Sequence, residues 1–242
     1  MKTTTDWFTS WFDTPYYHIL YKNRDDTDAR IFMQNITSFL KLPVQTHILD
    51  LACGKGRHSV FLNSLGYKVT GGDLSENNIN YANTFARKDL SFEVHDMRTP
   101  FVNIYDAIFN LFTSFGYFED DSEDISVLKN IKAGLKQNGI AVIDFLNVAI
   151  VNNTLIENEI KTIDGIDFHL HKKIENGFII KEITFEAKGE LHSYFERVKY
   201  LDLEKFTTYF EKAGLKINHT FGNYDLSPFN KQTSNRLIFV VS

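Results

Sequence analysis

The 242-residue sequence holds a single cysteine, Cys53, so no disulfide can close within the chain. That usage suits a reducing compartment, and the expected location is the cytoplasm. Four prolines and no Pro/Gly/Ser-rich stretch leave no candidate linker. No internal repeat or low-complexity segment is visible. No apolar run approaches the roughly 20 residues that span a bilayer. The first ten residues carry Asp6 and no apolar core, so neither a membrane span nor a secretory leader is expected. Basic residues are outnumbered 26 to 31, and no Lys/Arg-rich run offsets the net charge of -5, so no nucleic-acid partner is expected. His169 and His171 alternate on one strand face without a third ligand, and no metal site is expected.

What the sequence does have is an aromatic core, with 22 Phe and 11 Tyr, and a regular alternation of short apolar runs with helical patterns. Strands are predicted at 47–52, 67–71, 91–95, 105–110 and 140–145. Helices are predicted at 58–65, from the Ser75 cap to about Lys88, and from Asp121 to about Lys136. The acidic run 119–124 suits the positive end of that last helix. Alternation of this kind specifies a parallel, doubly wound sheet.

Two further regions flank it. Ahead of it, Thr14-Pro15 is a cap followed by proline at the first helical position, and a second helix is predicted from about Asp25 to Lys41. After it, Asp164-Gly165, Asn176-Gly177 and Lys188-Gly189 are hairpin-turn signals separating strand-like runs at 166–174, 178–185 and 191–200. These read as an antiparallel insert. Asp202 then caps a helix at 203–213 that ends at Gly214, and strands follow at 215–221 and 236–241.

The residues that carry chemistry sit at predicted strand ends. Asp50-Leu51-Ala52-Cys53-Gly54-Lys55-Gly56-Arg57 is a strand, a two-glycine turn and a helix start. Glycines there let backbone approach a ligand, and free N–H groups at a helix start favour an anion. Asp73, with Leu74 behind it, ends the second strand, where a carboxylate accepts ribose hydroxyls. Asp96-Met97 follows the third strand, where a carboxylate accepts from an adenine amine.

This pattern resembles motifs I to III of class I S-adenosylmethionine (SAM)-dependent methyltransferases over about residues 45–147, with Ala52 where motif I usually has glycine. The resemblance implies a doubly wound, mostly parallel seven-stranded Rossmann-like methyltransferase sheet with N-terminal helices and a small antiparallel β insert. It implies a cofactor site made of Asp50, Ala52, Gly54, Gly56, Arg57, Asp73, Leu74, Asp96, Met97, Asn110 and Leu111, with Tyr21 over the sulfonium. The domain division expected is an N-terminal helical lid at 1–45, a SAM-binding domain at 46–150 and 201–242, and the insert at 151–200. The implied reaction is transfer of the SAM methyl to a small-molecule acceptor, an amine favoured over an alcohol, by a monomer or homodimer. S-adenosylhomocysteine is the product. Tyr17, Tyr21 and His192 are the candidate catalytic bases.

Two other classes stay open at this point. An NAD(P)-binding Rossmann oxidoreductase needs G-x-G-x-x-G/A, but the third position here is Ser59, and Asp50 is unexpected before that turn. A SAM-binding protein without catalysis is not separated from an enzyme by these residues. Tyr16, Tyr17 and Tyr21 read either as core or as an aromatic lid, and sulfonium cations favour π faces. Of Phe112, Phe115, Tyr117 and Phe118, two are expected at the acceptor and the rest in the core. Cys53 reads as a small filler, and His58, in the first turn of a helix, either faces the ligand or is a surface or capping residue.

Overall fold

The structure, a computed structural model, describes residues 7–22 and 26–242. Asp6 and the expected helix start at Asp25 lie outside the described residues. The N-terminal elements are α1 (Trp7–Trp11), α2 (Pro15–Leu20) and α3 (Asp26–Phe39). Then come β1 (His47–Leu51), α4 (Arg57–Ser64), β2 (Lys68–Asp73), α5 (Glu76–Ala82), β3 (Leu90–Val94), β4 (Tyr105–Asn110), α6 (Asp121–Gly134), β5 (Leu135–Leu146) and α7 (Val148–Thr154). The second half holds β6 (Asn158–Ile163), β7 (Ile166–Glu175), β8 (Phe178–Ala187), β9 (Glu190–Lys199), α8 (Leu203–Ala213), β10 (Ile217–Phe221) and β11 (Arg236–Val241).

Seven strands form one sheet in the order β10-β11-β5-β4-β1-β2-β3. The strands β3, β2, β1, β4 and β5 are mutually parallel, while β11 runs antiparallel to both β5 and β10. The inner strands are buried on both faces, and side chains alternate between them. Ile48, Phe109, Val142 and Ile238 join one core with Phe32, Met33 and Ile36 of α3, Leu62 of α4 and Ile79 of α5. Leu49, Ile108, Ile143 and Phe239 join the other with α6, α8 and the second sheet. The second sheet is antiparallel, in the order β6-β7-β8-β9. Its three hairpin turns each place two residues at positive φ, Asp164-Gly165, Asn176-Gly177 and Lys188-Gly189, the type I′ geometry that matches strand twist. Among the described residues, no helix is long and apolar enough to cross a membrane.

The strand–helix alternation agrees with the sequence, and the departures have physical causes. The N-terminal region has three helices rather than two; the unexpected α1 is only five residues long, and its Trp7, Phe8 and Trp11 are buried. Thus it is held by tertiary burial rather than by propensity. The helix capped by Ser75 stops at Ala82, followed by a short 3₁₀ turn, because residues 83–88 are all exposed. Helix α6 stops at Gly134, where a Cβ would come within 2.6 Å of the Phe101 ring. Asn138-Gly139 is an irregularity inside a longer β5 rather than a loop before it. The insert has four strands, not three, since β6 was hidden by exposed residues such as Ile160.

Candidate active site at the strand ends

The sheet changes direction between β4 and β1, where an open α/β sheet leaves a crevice at its carboxyl edge. The non-glycine residues of left-handed backbone outside the hairpins include Ala52 after β1 and the successive pair Phe112 and Thr113 after β4. Each costs on the order of 1–3 kcal/mol, and such strain concentrates at working sites.

The glycine turn is built by main-chain bonds from β2. Ala52 N and Cys53 N both donate to Gly72 O, at 2.7 and 3.1 Å. Gly54, at φ 55°, donates its N–H to Asp73 Oδ2 at 2.8 Å, and a Cβ added there would meet nothing within 4 Å. It is a cradle with open space above it. Gly56, at φ 78°, has a different reason to be glycine: a Cβ there would lie 2.5 Å from the Phe92 ring. Its need is close packing of α4 against β3, which sequence alone assigned to ligand approach.

Asp73 ends β2 as expected, and its other oxygen accepts from Ser75 N at 2.9 Å. Burial raises its pKa against those N–H groups. Leu74 packs part-buried beside it. Asp50 is buried and accepts the Ser59 hydroxyl at 2.5 Å. Burial, opposed by Ser59 and reinforced by the Asp73 charge, pushes its pKa up to about 6. Burial also pushes the Cys53 thiol up, in keeping with a filler. Arg57 opens α4 and is exposed, with Nη2 3.0 Å from His58 Nε2.

At the end of β3, burial alone would raise the Asp96 pKa, but the Arg98 guanidinium outweighs it and holds the carboxyl below its usual range. The pairing runs through Nε and Nη2, at 3.0 and 2.7 Å, and Arg98 also lies over the Phe118 ring and 3.3 Å from Glu123. Met97 is half-buried beside it, its carbonyl accepting from Asn130. At the end of β4, Asn110 is 1% exposed. Its Nδ2 donates to Leu51 O at 3.2 Å, while its Oδ1 is buried with no partner among the described residues. Leu111 beside it is buried.

Helices α1 and α2 reach this edge, through pairings the sequence did not reveal. Asp13 accepts from Ser75 Oγ and Asn77 Nδ2, each at 2.6 Å. His18 bonds Asn78 and lies close enough to Lys55 to feel its charge; burial first and that cation second lower its pKa. On the other side of α2, the Tyr21 hydroxyl donates to Glu196 Oε1 at 2.6 Å and accepts from Lys181 Nζ. Trp11 Nε1 donates to the same carboxylate at 2.9 Å. Burial would raise the Glu196 pKa, but Lys181, Tyr21 and Trp11 together hold it low. Tyr17 packs on Trp11, Phe12 and Tyr21. His192 lies deeper in the second sheet, stacked on Phe185 and against Tyr16, its Nε2 buried with no partner among the described residues. Phe115 and Phe118 are core residues, whereas Phe112 is half-buried with its ring 4.3 Å from that of His58. Among the described residues no cluster suits a metal ion.

Asp50 also predicts a pH effect. Below about pH 4 the carboxyl is protonated folded and unfolded; between there and about pH 6 only the folded state holds the proton. Its stabilising contribution is therefore full at low pH and lost as pH rises through the folded value, by up to about 3 kcal/mol. Asp50→Asn removes this dependence, so the variant's Tm relative to wild type should rise by several degrees between pH 4 and pH 8. A difference constant across that range would contradict the assignment.

Comparison with known proteins agrees with this geometry. Residues 48–139 match a family described as a methyltransferase domain. The chain is 36% identical over 107 residues to the putative methyltransferase YqeM of Bacillus subtilis, covering 43% of each chain. It spans about half the length of the curated relatives it matches. In fold, it superposes on a SAM-dependent methyltransferase from Clostridium acetobutylicum with TM-score 0.79 at 18% identity, covering 94% of this chain and 95% of that one. The sugar N-methyltransferase KedS8 from Streptoalloteichus superposes with TM-score 0.71 at 18% identity, covering 93% and 92%. The fold is that of the class I SAM-dependent methyltransferases.

Proposed function

From the methyltransferase domain that residues 48–139 carry, we propose that the chain transfers the methyl group of SAM to a small-molecule acceptor, with an amine favoured over an alcohol. The observation that carries the reading is the set of Asp50, Gly54, Asp73 and Asp96 at the carboxyl ends of the adjacent strands β1, β2 and β3, with open space above Gly54. The residues suit the cofactor: Gly54 leaves a cradle with open space, Asp73 would accept the ribose hydroxyls, and Asn110 offers a buried acceptor, Oδ1, with no partner among the described residues. The rival nicotinamide reading expects a sixth parallel strand beyond β5, where this sheet has an antiparallel β11. The amine preference draws support from the sugar N-methyltransferase among the proteins of similar fold.

When bound, SAM supplies a methyl already activated by the positive sulfur. The chain's own task is then placement and exclusion of water. In this reading α1 and α2 form the lid. Asp13 ties them to the Asp73 strand end, and Trp11 and Tyr21 tie them to Glu196 on β9. By contrast α3, which the sequence groups with them, packs as a layer on the large sheet. Tyr17, Tyr21 and His192 are proposed to take a proton from an acceptor that must lose one before attack. Tyr21 is the best connected, because Lys181 and Glu196 fix its hydroxyl.

The deciding experiment is calorimetric titration with S-adenosylhomocysteine, with NADH in parallel. Micromolar binding of the first and none of the second is expected; the reverse would sink the reading. Amines and alcohols are then screened with labelled SAM. Tyr21→Phe and Tyr21→Ala separate hydroxyl from ring. Loss of the hydroxyl should cost about 1–2 kcal/mol of stability, and loss of the ring should also weaken S-adenosylhomocysteine binding several-fold. Unchanged affinity and turnover in both variants would remove Tyr21 from the site.

A further inference from the structure

The left-handed pair Phe112-Thr113 is held by a buried ion pair that none of the motif residues supplies. Asp144, fully buried on β5, accepts Phe112 N at Oδ2, 2.8 Å, and its main-chain oxygen accepts Thr113 N at 3.0 Å. Arg236, at the start of β11, donates through Nε to Asp144 Oδ1 at 2.8 Å and through Nη2 to Thr113 Oγ1 at 2.9 Å. Further side chains around the loop hold it too. Ser114 Oγ donates to Leu111 O, Tyr117 donates its hydroxyl to Thr113 O, and Asn110 Nδ2 reaches Ser114 O. Tyr224 closes the far side, its ring stacked on Phe32 and its hydroxyl 3.4 Å from Asp144. The loop so fixed presses Phe112 onto His58, in the first turn of the helix that follows the glycine turn.

We propose that Asp144 and Arg236 are positioning residues for the amino-acid half of the cofactor. They act by holding residues 111–114 in a strained shape against the start of α4, and the proposal rests on the cofactor reading above. A non-glycine pair at positive φ persists only where its surroundings impose it, and here one carboxylate and one guanidinium do so. The nucleoside contacts lie elsewhere. Asp73 is three strands from Asp144 across the sheet, roughly 14 Å at the usual strand spacing. Disturbing the pair therefore separates the two halves of the cofactor.

Arg236→Lys is the test. Lysine keeps a cation beside Asp144 but lacks the fork that also reaches Thr113. Affinities are measured for S-adenosylhomocysteine and for methylthioadenosine, which has the nucleoside and sulfur but no amino-acid tail. The expected result is a ten-fold or greater loss for S-adenosylhomocysteine, less than two-fold for methylthioadenosine, and a Tm within a few degrees of wild type. Thr113→Ala, which leaves the ion pair intact, should shift the same ratio by about three-fold and keeps the test open if the lysine variant folds poorly. Unchanged affinities, or parallel losses for both ligands in both variants, overturn the proposal. Wild-type protein that binds neither ligand overturns the cofactor reading and the proposal together.

Discussion

Lys199→Met is expected to lower stability by about 3–5 kcal/mol, the usual consequence of removing one partner of a buried ion pair. Lys199 is 4% exposed at the end of β9, and its ammonium lies 2.6 Å from Asp124 and 3.0 Å from Asp121, both on α6. Asp124 is fully buried, and its second oxygen has no partner among the described residues. Without the lysine a buried carboxylate stands uncompensated. At roughly 2–4 °C per kcal/mol for a chain of this size, Tm falls by about 10 °C. The loss depends on pH in a definite direction. Burial, opposed by Lys199, already lifts the Asp124 pKa to about 6, so the folded state holds the proton more tightly than the unfolded state. Removing the cation lifts it further, so the variant is helped by acid, and its deficit should be smaller at pH 5 than at pH 8. Lys199→Met with Asp124→Leu should recover most of the loss. A single variant with unchanged Tm at pH 8 would show that the pair contributes nothing.

Asp73→Ala is expected to weaken S-adenosylhomocysteine binding at least 100-fold. Two hydrogen bonds from ribose hydroxyls to a carboxylate contribute about 1.5 kcal/mol each, and their sum corresponds to a little over two decades in Kd. The same carboxylate clips Gly54 and Ser75 in place, so Ala loosens the turn as well. Asp73→Asn keeps part of the clip, because its amide oxygen accepts from one of the two backbone N–H groups while its NH2 faces the other, and the charge is gone. An intermediate affinity for Asn is the expected outcome by titration calorimetry. Wild-type affinity in the alanine variant would remove Asp73 from the ribose site.

The strand-end pattern behind the cofactor expectation was legible because its signals are local. Apolar runs, the Gly54-x-Gly56 turn and the acids at 73 and 96 follow one another along the chain, and each sits at the end of its own strand. The helix caps Thr14, Ser75 and Asp202 were legible for the same reason, and each accepts a backbone N–H in the structure. The rest depends on partners far apart in sequence. Arg236 meets Asp144 across 92 residues, Tyr21 meets Glu196 across 175, and Asp13 meets Ser75 across 62. An arginine ahead of an apolar strand, or an aspartate inside one, is a visible oddity, but nothing local pairs the two. Helix α1 was missed because five residues carry no period, and the packing need at Gly56 was hidden because its neighbour Phe92 lies on another strand.

The chain contains two tryptophans, Trp7 and Trp11, and both belong to α1. They are 5% and 1% exposed, packed against Phe195 and Tyr194 of β9. The native protein thus comes with its own optical label at a single place. Its tryptophan emission reports whether the first helix is seated, and a red shift on adding or withdrawing a ligand would register the lifting of that helix without any dye or added residue.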